Sequence, residues 1–122
     1  QAQQCADIID RAGVLLELPV FYDMEDDDKW KMNHGFDFNP SNVTAMCQAW
    51  LDNIGLNSGV YASYSWLQNR IDWQGLGCPV WNAEWGDSDD LGGYVWQDTE
   101  QFWLGSHSVD GDWMYDESVF QD

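Results

Sequence analysis

Two carboxylates stand two positions apart at the end of an apolar, strand-forming segment. Residues 18–22 form that segment, and Asp23 and Glu25 close it. Because side chains alternate along a strand, both carboxylates point to the same face, with alpha carbons about 6.5–7 Å apart. The two charges repel each other, so one of the carboxyl groups tends to keep its proton to a higher pH than usual. Hydrolysis of a glycosidic bond uses this combination, an acid that protonates the leaving oxygen beside a carboxylate that stays ionised.

The segments around Asp23 and Glu25 must hold the two carboxylates in place. The spacing of apolar residues in these segments predicts alternating helices and strands. Asn39 or Ser41 is expected to cap the second helix, and Gly55 is expected to end it. The alternation predicts an α/β fold in a single domain, with parallel strands joined by right-handed crossovers. The predicted helices cover residues 1–14, 41–54 and 65–71, the strands 18–23, 59–64, 79–85, 94–97 and 106–110, the long loops 26–39 and 86–93, and a terminal turn or helix 113–120.

The charge and the aromatic content of the chain narrow the classes of partner. Four basic residues face 22 acidic ones, for a formal net charge of −18, which excludes a nucleic-acid partner and disfavours an anionic membrane surface. No apolar run of membrane length and no signal peptide is visible. The chain begins with Gln1, so we expect a processed form or a piece of a longer protein. Neutral and cationic partners remain, and sugars are the obvious neutral class.

Nine tryptophans among 122 residues argue against the disorder that such an acidic composition otherwise suggests. Core packing is the ordinary role of a tryptophan, but nine exceed what the core of a chain of this size usually needs. Exposed Trp and Tyr side chains also form flat apolar platforms for pyranose rings, which agrees with a sugar partner.

Residue types that bind metals or form disulfides show no organised pattern, so we predict no metal and no cofactor. Cys5, Cys47 and Cys78 are odd in number and widely spaced, and Cys47 is expected to be a buried thiol on an apolar helix face. The acidic stretches at 26–28 and 87–90 lack the twelve-residue calcium-loop pattern and are expected to be solvated loops. The single residues His34 and His107 are expected at the surface.

Five short motifs occur in the order in which glycoside hydrolase family 25 lysozymes carry them. None is specific alone, but together they span nearly the whole chain, which therefore resembles this family of muramidases. Asp98 stands where the family's fourth motif has tyrosine. The motifs are residues 18–25 (LPVFYDME), 59–63 (GVYAS), 79–86 (PVWNAEWG), 95–99 (VWQDT) and 109–112 (VDGD).

The resemblance implies a (β/α) barrel of the TIM type, of which this chain matches only a part. Such barrels typically need about 250 residues. The Asp-X-Glu strand begins here at residue 18 instead of mid-chain, and the family's first strands, with an early active-site aspartate, have no match. Residues 1–122 are therefore expected to form a partial catalytic domain corresponding to strands four to eight. A half barrel leaves open strand edges, so a second chain, a second copy or a missing N-terminal segment is expected to complete it.

The resemblance also implies an activity and roles for particular residues. The expected reaction is cleavage of peptidoglycan between N-acetylmuramic acid and N-acetylglucosamine by a secreted, extracellular bacterial or phage lysin. Glu25 is the implied general acid, and Asp23 stabilises the oxocarbenium charge or orients the 2-acetamido group. Asp110 is expected to end the last strand and to line the same site, because the strand ends of a barrel converge. The candidate sugar contacts are Tyr61, Trp81, Trp96 and Gln97.

Two other functions remain open from the sequence. The chain is alternatively a non-catalytic carbohydrate-binding half domain or an acidic calcium-binding domain. Asp23 and Glu25 are alternatively the solvated start of a loop or a calcium site. The aromatic candidates alternatively pack in the core, and Asp110 alternatively belongs to a turn.

Overall fold

The computed structural model describes residues 1–25 and 29–115, and these contain five helices and five strands. In chain order the elements are α1 (Ala2–Ala12), β1 (Val20–Asp23), α2 (Trp30–Asn33), α3 (Pro40–Ile54), β2 (Ser58–Ser63), α4 (Tyr64–Asn69), α5 (Trp73–Leu76), β3 (Val80–Ala83), β4 (Val95–Leu104) and β5 (His107–Met114).

Helix α3 shows how local sequence sets an element. The Asn39 side chain accepts a hydrogen bond from the backbone N–H of Asn42 at 2.8 Å, and Pro40 occupies the first helical position, where its missing N–H costs nothing. Gly55 ends the helix in the left-handed conformation, with φ 68°. The helix predicted over 41–54 is therefore confirmed, and Asn39 rather than Ser41 is its cap.

The strands form one mixed sheet in the order β1-β2-β3-β4-β5. The first three pairings are parallel, as predicted, whereas β4 and β5 are antiparallel. The prediction of an all-parallel sheet is wrong for β5, because only Gly105 and Ser106 separate it from β4. A two-residue connection can form only a hairpin, since a parallel crossover needs a dozen or more residues.

The helices cover one face of the sheet and bury the core against it. Tyr22 on β1 stacks on Trp50 of α3, with ring centroids 5.0 Å apart, and Cys47 of α3 is buried as predicted. The opposite face of the sheet carries polar and aromatic side chains instead. Other buried residues of the helix-covered core include Met24, Val43, Ile54, Val60, Ala62, Leu67 and Val80.

Several predicted boundaries change in the structure. The predicted loop at 26–39 contains the single-turn helix α2, and α5 was not predicted at all, because a single helical turn is too short to show a periodic apolar pattern. The last two strands extend well beyond 94–97 and 106–110, since each pairs with the other along a long hairpin. The turn predicted at 113–120 begins inside β5, and residues 116–120 lie outside the described residues.

Within the described part of the chain the sheet is open. Strand β1 pairs only with β2, and β5 pairs only with β4. The structure therefore establishes an α/β fold with a mixed five-stranded sheet, while a closed barrel of the TIM type and the numbering of its strands stay predictions. Among the residues described, no helix combines the length and the apolar character needed to cross a bilayer.

Candidate active site

A cleft of about 310 Å³ opens on the face of the sheet that the helices leave uncovered. Each of the five strands contributes at least one side chain to its wall. The lining residues are Phe21, Asp23, Tyr61, Trp81, Gln97 and Asp110.

Asp23 and Asp110 line this cleft from the two edge strands of the sheet. In a flat sheet with strands 4.7–4.9 Å apart, β1 and β5 lie about 19 Å from each other. Both strands contribute to one cleft, so the sheet curls and brings its edges toward each other. Asp110 lies inside β5 and does not end it, which corrects the expectation that it closes the last parallel strand.

Asp23 and Glu25 lie on the same side of the extended chain. Both side chains are exposed, while Met24 between them is fully buried. The backbone N–H of Met24 donates to the Tyr61 carbonyl at 3.0 Å, which keeps the chain against β2 past the end of β1. The Lys31 ammonium donates to the Glu25 backbone carbonyl at 3.0 Å and ties α2 to this point. The backbone that carries the carboxylate pair is therefore held from two sides.

Tyr61 lies at the centre of the acidic groups of the cleft. Its hydroxyl donates to Oε1 of Gln97, whose side chain is only 2% exposed. Partial burial and, to a smaller extent, the negative charges of Asp23, Asp110 and Glu25 together raise the pKa of Tyr61 to about 12. The phenol therefore stays protonated near neutral pH and acts as a hydrogen-bond donor. Glu25 is not among the lining residues of the cleft.

The Trp81 indole lies between the aromatic and the acidic parts of the cleft. It meets the Tyr61 and Phe21 rings edge to face, with centroids 5.1 and 5.3 Å away. Its N–H donates to Oδ1 of Asp112 at 2.7 Å. Partial burial raises the pKa of the Asp112 carboxyl, the Trp81 hydrogen bond opposes this, and the charge of Asp110 adds to the rise.

Asp112 is a contact of the cleft residue Trp81 that is not among the predicted site residues. The available signal was its spacing from Asp110, which repeats the spacing of Asp23 and Glu25 and puts both aspartates on one face of β5.

Trp96 does not join the predicted sugar contacts in the cleft. It pairs in register with Asn82, so it points to the face of the sheet opposite to Gln97. Its indole N–H donates to the Glu84 backbone carbonyl at 2.8 Å. The structure thus brings five of the seven predicted site residues into the wall of one cleft, namely Asp23, Tyr61, Trp81, Gln97 and Asp110. Glu25 lies just beyond Asp23 on the same side of the extended chain, and Trp96 lies on the other face of the sheet.

The acidic loop at 87–90 is engaged in hydrogen bonds of its own. Oδ1 of Asp89 accepts from the Asn82 side chain at 2.9 Å and from the backbone N–H groups of Leu91 and Gly92. Across residues 1–25 and 29–115, no group of three or more Asp, Glu, His or Cys side chains is arranged to hold a metal ion. The other acidic run, 26–28, lies outside the described residues. His34 and His107 are exposed, as predicted.

Two larger hollows lie away from the paired carboxylates. One, of about 400 Å³, lies between α1 and α3 and contains no carboxylate. The other, of about 550 Å³, has Asp37 and Arg70 in its wall, and Arg70 is engaged with the Phe38 carbonyl at 2.7 Å. Neither offers an acid beside a second carboxylate, so the chemistry favours the smaller cleft.

Comparison with known proteins gives matches in structure but not in sequence. No protein-family model matches this chain, and no curated protein matches it either. The CTP1L endolysin has a similar fold, with a TM-score of 0.68 and 22% identity over 97% of this chain and 43% of the endolysin chain. The modular autolysin LytC from Streptococcus pneumoniae, solved with a synthetic peptidoglycan ligand, has a TM-score of 0.74 and 20% identity over 89% of this chain and 28% of its own. This chain thus spans less than half the length of either protein.

Proposed function

We propose that this chain is part of a glycoside hydrolase that cleaves bacterial peptidoglycan between N-acetylmuramic acid and N-acetylglucosamine. The observation that carries the proposal is the meeting of Asp23 from β1 and Asp110 from β5 in one cleft. The two structural neighbours support it, since one is an endolysin and the other is an autolysin bound to a peptidoglycan ligand. An extracellular site of action follows from such a substrate.

In this proposal the carboxylates divide the work of glycosidic cleavage. Glu25 is the general acid that protonates the glycosidic oxygen, because its exposed carboxyl follows the cleft residue Asp23 on the same side of the extended chain. Asp23 stays ionised and either stabilises the oxocarbenium charge or orients the 2-acetamido group of the sugar. Asp110 faces them from the opposite edge of the sheet and adds negative charge where positive charge develops.

The other side chains of the cleft suit a sugar ring. Tyr61 is a protonated donor, Gln97 has a buried amide held by Tyr61, and Trp81 offers an apolar ring fixed by its bond to Asp112. Trp96 is left out of the proposed contacts, since its indole lies on the other face of the sheet.

We further propose that additional strands complete the barrel and the substrate groove. Strand β1 has a neighbour on one side only within the described residues. The segment that leads into it exposes four apolar side chains, of which Leu15 is 95% exposed. Open edges and exposed apolar groups of this kind mark a surface that pairs with another segment. A second chain or further residues of the same protein would supply it. The other three apolar side chains are Val14, Leu16 and Leu18.

The test is clearing of a bacterial cell-wall suspension together with the release of new reducing ends. We expect Glu25→Gln to abolish both while the circular dichroism spectrum stays that of the parent. Asp52→Asn is the matched control, because Asp52 is an exposed carboxylate on α3, outside the cleft and away from the edge of β1, and full activity is expected. The assay is run on the chain alone and on longer forms that supply the missing strands.

Other outcomes of these measurements would identify the alternatives. Glycan binding without new reducing ends in every form indicates a carbohydrate-binding half domain. A large rise in melting temperature on addition of calcium indicates a calcium-binding domain. Full activity of Glu25→Gln contradicts the proposed general acid.

A further inference from the structure

Two aromatic side chains form an exposed stack on α2, outside the cleft. Trp30 is 59% exposed, and its ring lies over that of His34 with centroids 4.0 Å apart and planes 19° from parallel. The two residues are four apart, and residues at this spacing lie one above the other on a helical turn. The cleft does not use either ring.

The turn that carries the stack is fixed by its own hydrogen bonds. Nδ1 of His34 lies 2.7 Å from the Trp30 carbonyl oxygen, and because a carbonyl can only accept, Nδ1 carries the hydrogen. The His34 backbone N–H also donates to Trp30 and Lys31 carbonyls, and Gly35 closes the turn with φ 86°. The rings are therefore held in place before any ligand binds, which lowers the entropy cost of binding.

The stack is also tied to the proposed general acid. The Lys31 ammonium donates to the Glu25 backbone carbonyl at 3.0 Å. The five Cα-to-Cα steps from Glu25 to Trp30 can span at most about 18 Å, even fully extended. A glycan strand that passes Glu25 is thus within reach of the stack.

We propose that the Trp30–His34 stack is a binding subsite for one pyranose ring of a neutral glycan, next to the cleft. The flat indole offers an extended apolar surface to the C–H face of the sugar, and dispersion summed over these contacts gives useful affinity. A net charge of −18 disfavours anionic ligands, and the proposed function makes an uncharged N-acetylhexosamine the matching class among the others. The choice of ligand rests on the proposed function, whereas the location rests on the stack itself.

The test uses chitotetraose, a neutral oligomer of N-acetylglucosamine, and the Glu25→Gln chain, in which hydrolysis is not expected. The nine indole N–H resonances are followed by ¹⁵N nuclear magnetic resonance, and the one lost in Trp30→Phe identifies Trp30. We expect this resonance to shift on titration and Trp30→Ala to weaken binding about tenfold, which corresponds to roughly 1.4 kcal/mol. Trp30→Phe keeps an aromatic face and should lose less affinity for chitotetraose than Trp30→Ala.

Trp113→Ala is the matched control, since Trp113 is 58% exposed and lies on the far hairpin. The Trp113→Ala chain should bind chitotetraose with the affinity of the parent. The subsite would be overturned if the Trp30 resonance did not shift at millimolar chitotetraose, or if a folded Trp30→Ala chain kept the affinity of the parent for this ligand. It would also be overturned if Trp113→Ala lost as much affinity as Trp30→Ala. The two proposals can fail independently. If chitotetraose binds at Trp30 but the parent protein releases no reducing ends from cell walls, the proposed hydrolysis fails and the subsite stands.

Discussion

The indole N–H of Trp81 on β3 donates to the carboxylate of Asp112 on β5 at 2.7 Å, although β4 lies between the two strands. Side chains can meet across an intervening strand only where the sheet is strongly curved toward them. The curvature places Asp110, two residues before Asp112, in the same cleft as Asp23 on the opposite edge. The candidate site therefore depends on the bend of the last hairpin as much as on the first strand.

Replacing Trp81 with Phe tests this bridge. Phenylalanine keeps the ring packing against Tyr61 but removes the N–H donor that stabilises ionised Asp112. We expect the pKa of Asp112 to rise further above its usual value, since that hydrogen bond is what opposes the effect of burial. Carboxyl ¹³C titration measures it. Trp96→Phe, which removes a donor to the Glu84 backbone carbonyl on the other face of the sheet, should leave the Asp112 titration unchanged, and an equal shift there would refute the assignment.

The pKa of Tyr61 depends on how closely the two edge strands, β1 and β5, bring their carboxylates to its hydroxyl. The carboxylates of Asp23 and Asp110 both raise it, so Asp23→Asn and Asp110→Asn should each lower it from about 12 toward 10.0. The change is larger for Asp23→Asn, because that charge has the stronger effect. Titration followed at the tyrosine ¹³Cζ resonances gives the value without any need for activity, and it separates Tyr61 from the other four tyrosines, of which Tyr115 also has its pKa raised to about 12.

The control for this titration is Asp98→Asn. Asp98 lies on β4, beside the indole of Trp113, and is not among the residues that line the cleft. An unchanged Tyr61 pKa is expected for this variant. If Asp110→Asn also left the pKa unchanged, β5 would not approach Tyr61 in solution.

Stability at high pH should depend on Tyr61 in a defined window. Its pKa is about 12 in the folded chain against 10.0 in the unfolded chain, so the phenolate forms first in the unfolded state. The contribution of Tyr61 to the free energy of unfolding is thus complete below pH 10 and is lost as the pH rises toward 12. The difference between the parent and Tyr61→Phe in urea denaturation should shrink over this range, and a constant difference would contradict the shift.

The parts of the site that the sequence predicted are those set by local rules. Alternation along one strand is enough to put Asp23 and Glu25 on the same side, and an Asn-Pro start with a glycine end is enough to define α3. The same alternation shows that neighbours such as Trp96 and Gln97 cannot both face one cleft. Which of the two does so depends on the register between β3 and β4, which no local pattern contains.

The remaining parts depend on long-range geometry. The hairpin turn at Gly105 has a local signal, a glycine between two strand segments, and φ 62° confirms its left-handed conformation. The position of Asp110 relative to Asp23, by contrast, depends on the curvature of the whole sheet. The hydrogen bond of Asp112 is a contact between β3 and β5, and the Trp30–His34 stack lies on a single turn too short to show a periodic pattern, so only the structure reveals them.

The open edge of β1 predicts that the chain alone associates in solution. Leu15 and Leu18 are exposed immediately before an edge strand whose outer side has no strand neighbour in the described residues. Burying such side chains gains about 25 cal/mol per Å² of apolar surface, and an unpaired strand edge adds backbone hydrogen bonds. We therefore expect multi-angle light scattering at micromolar concentration to show dimers or larger species.

Leu15→Glu should shift this distribution toward monomer, because a charge at the contact is costly to bury and the chain is already strongly negative. The matched control is Leu104→Glu at the end of β4, which adds the same charge to an exposed leucine far from β1 along the sheet. If Leu104→Glu shifts the distribution toward monomer as strongly as Leu15→Glu, net charge rather than the β1 edge governs association. A compact, stable monomer of the unmodified chain would mean that five strands suffice and that no further segment is needed at β1.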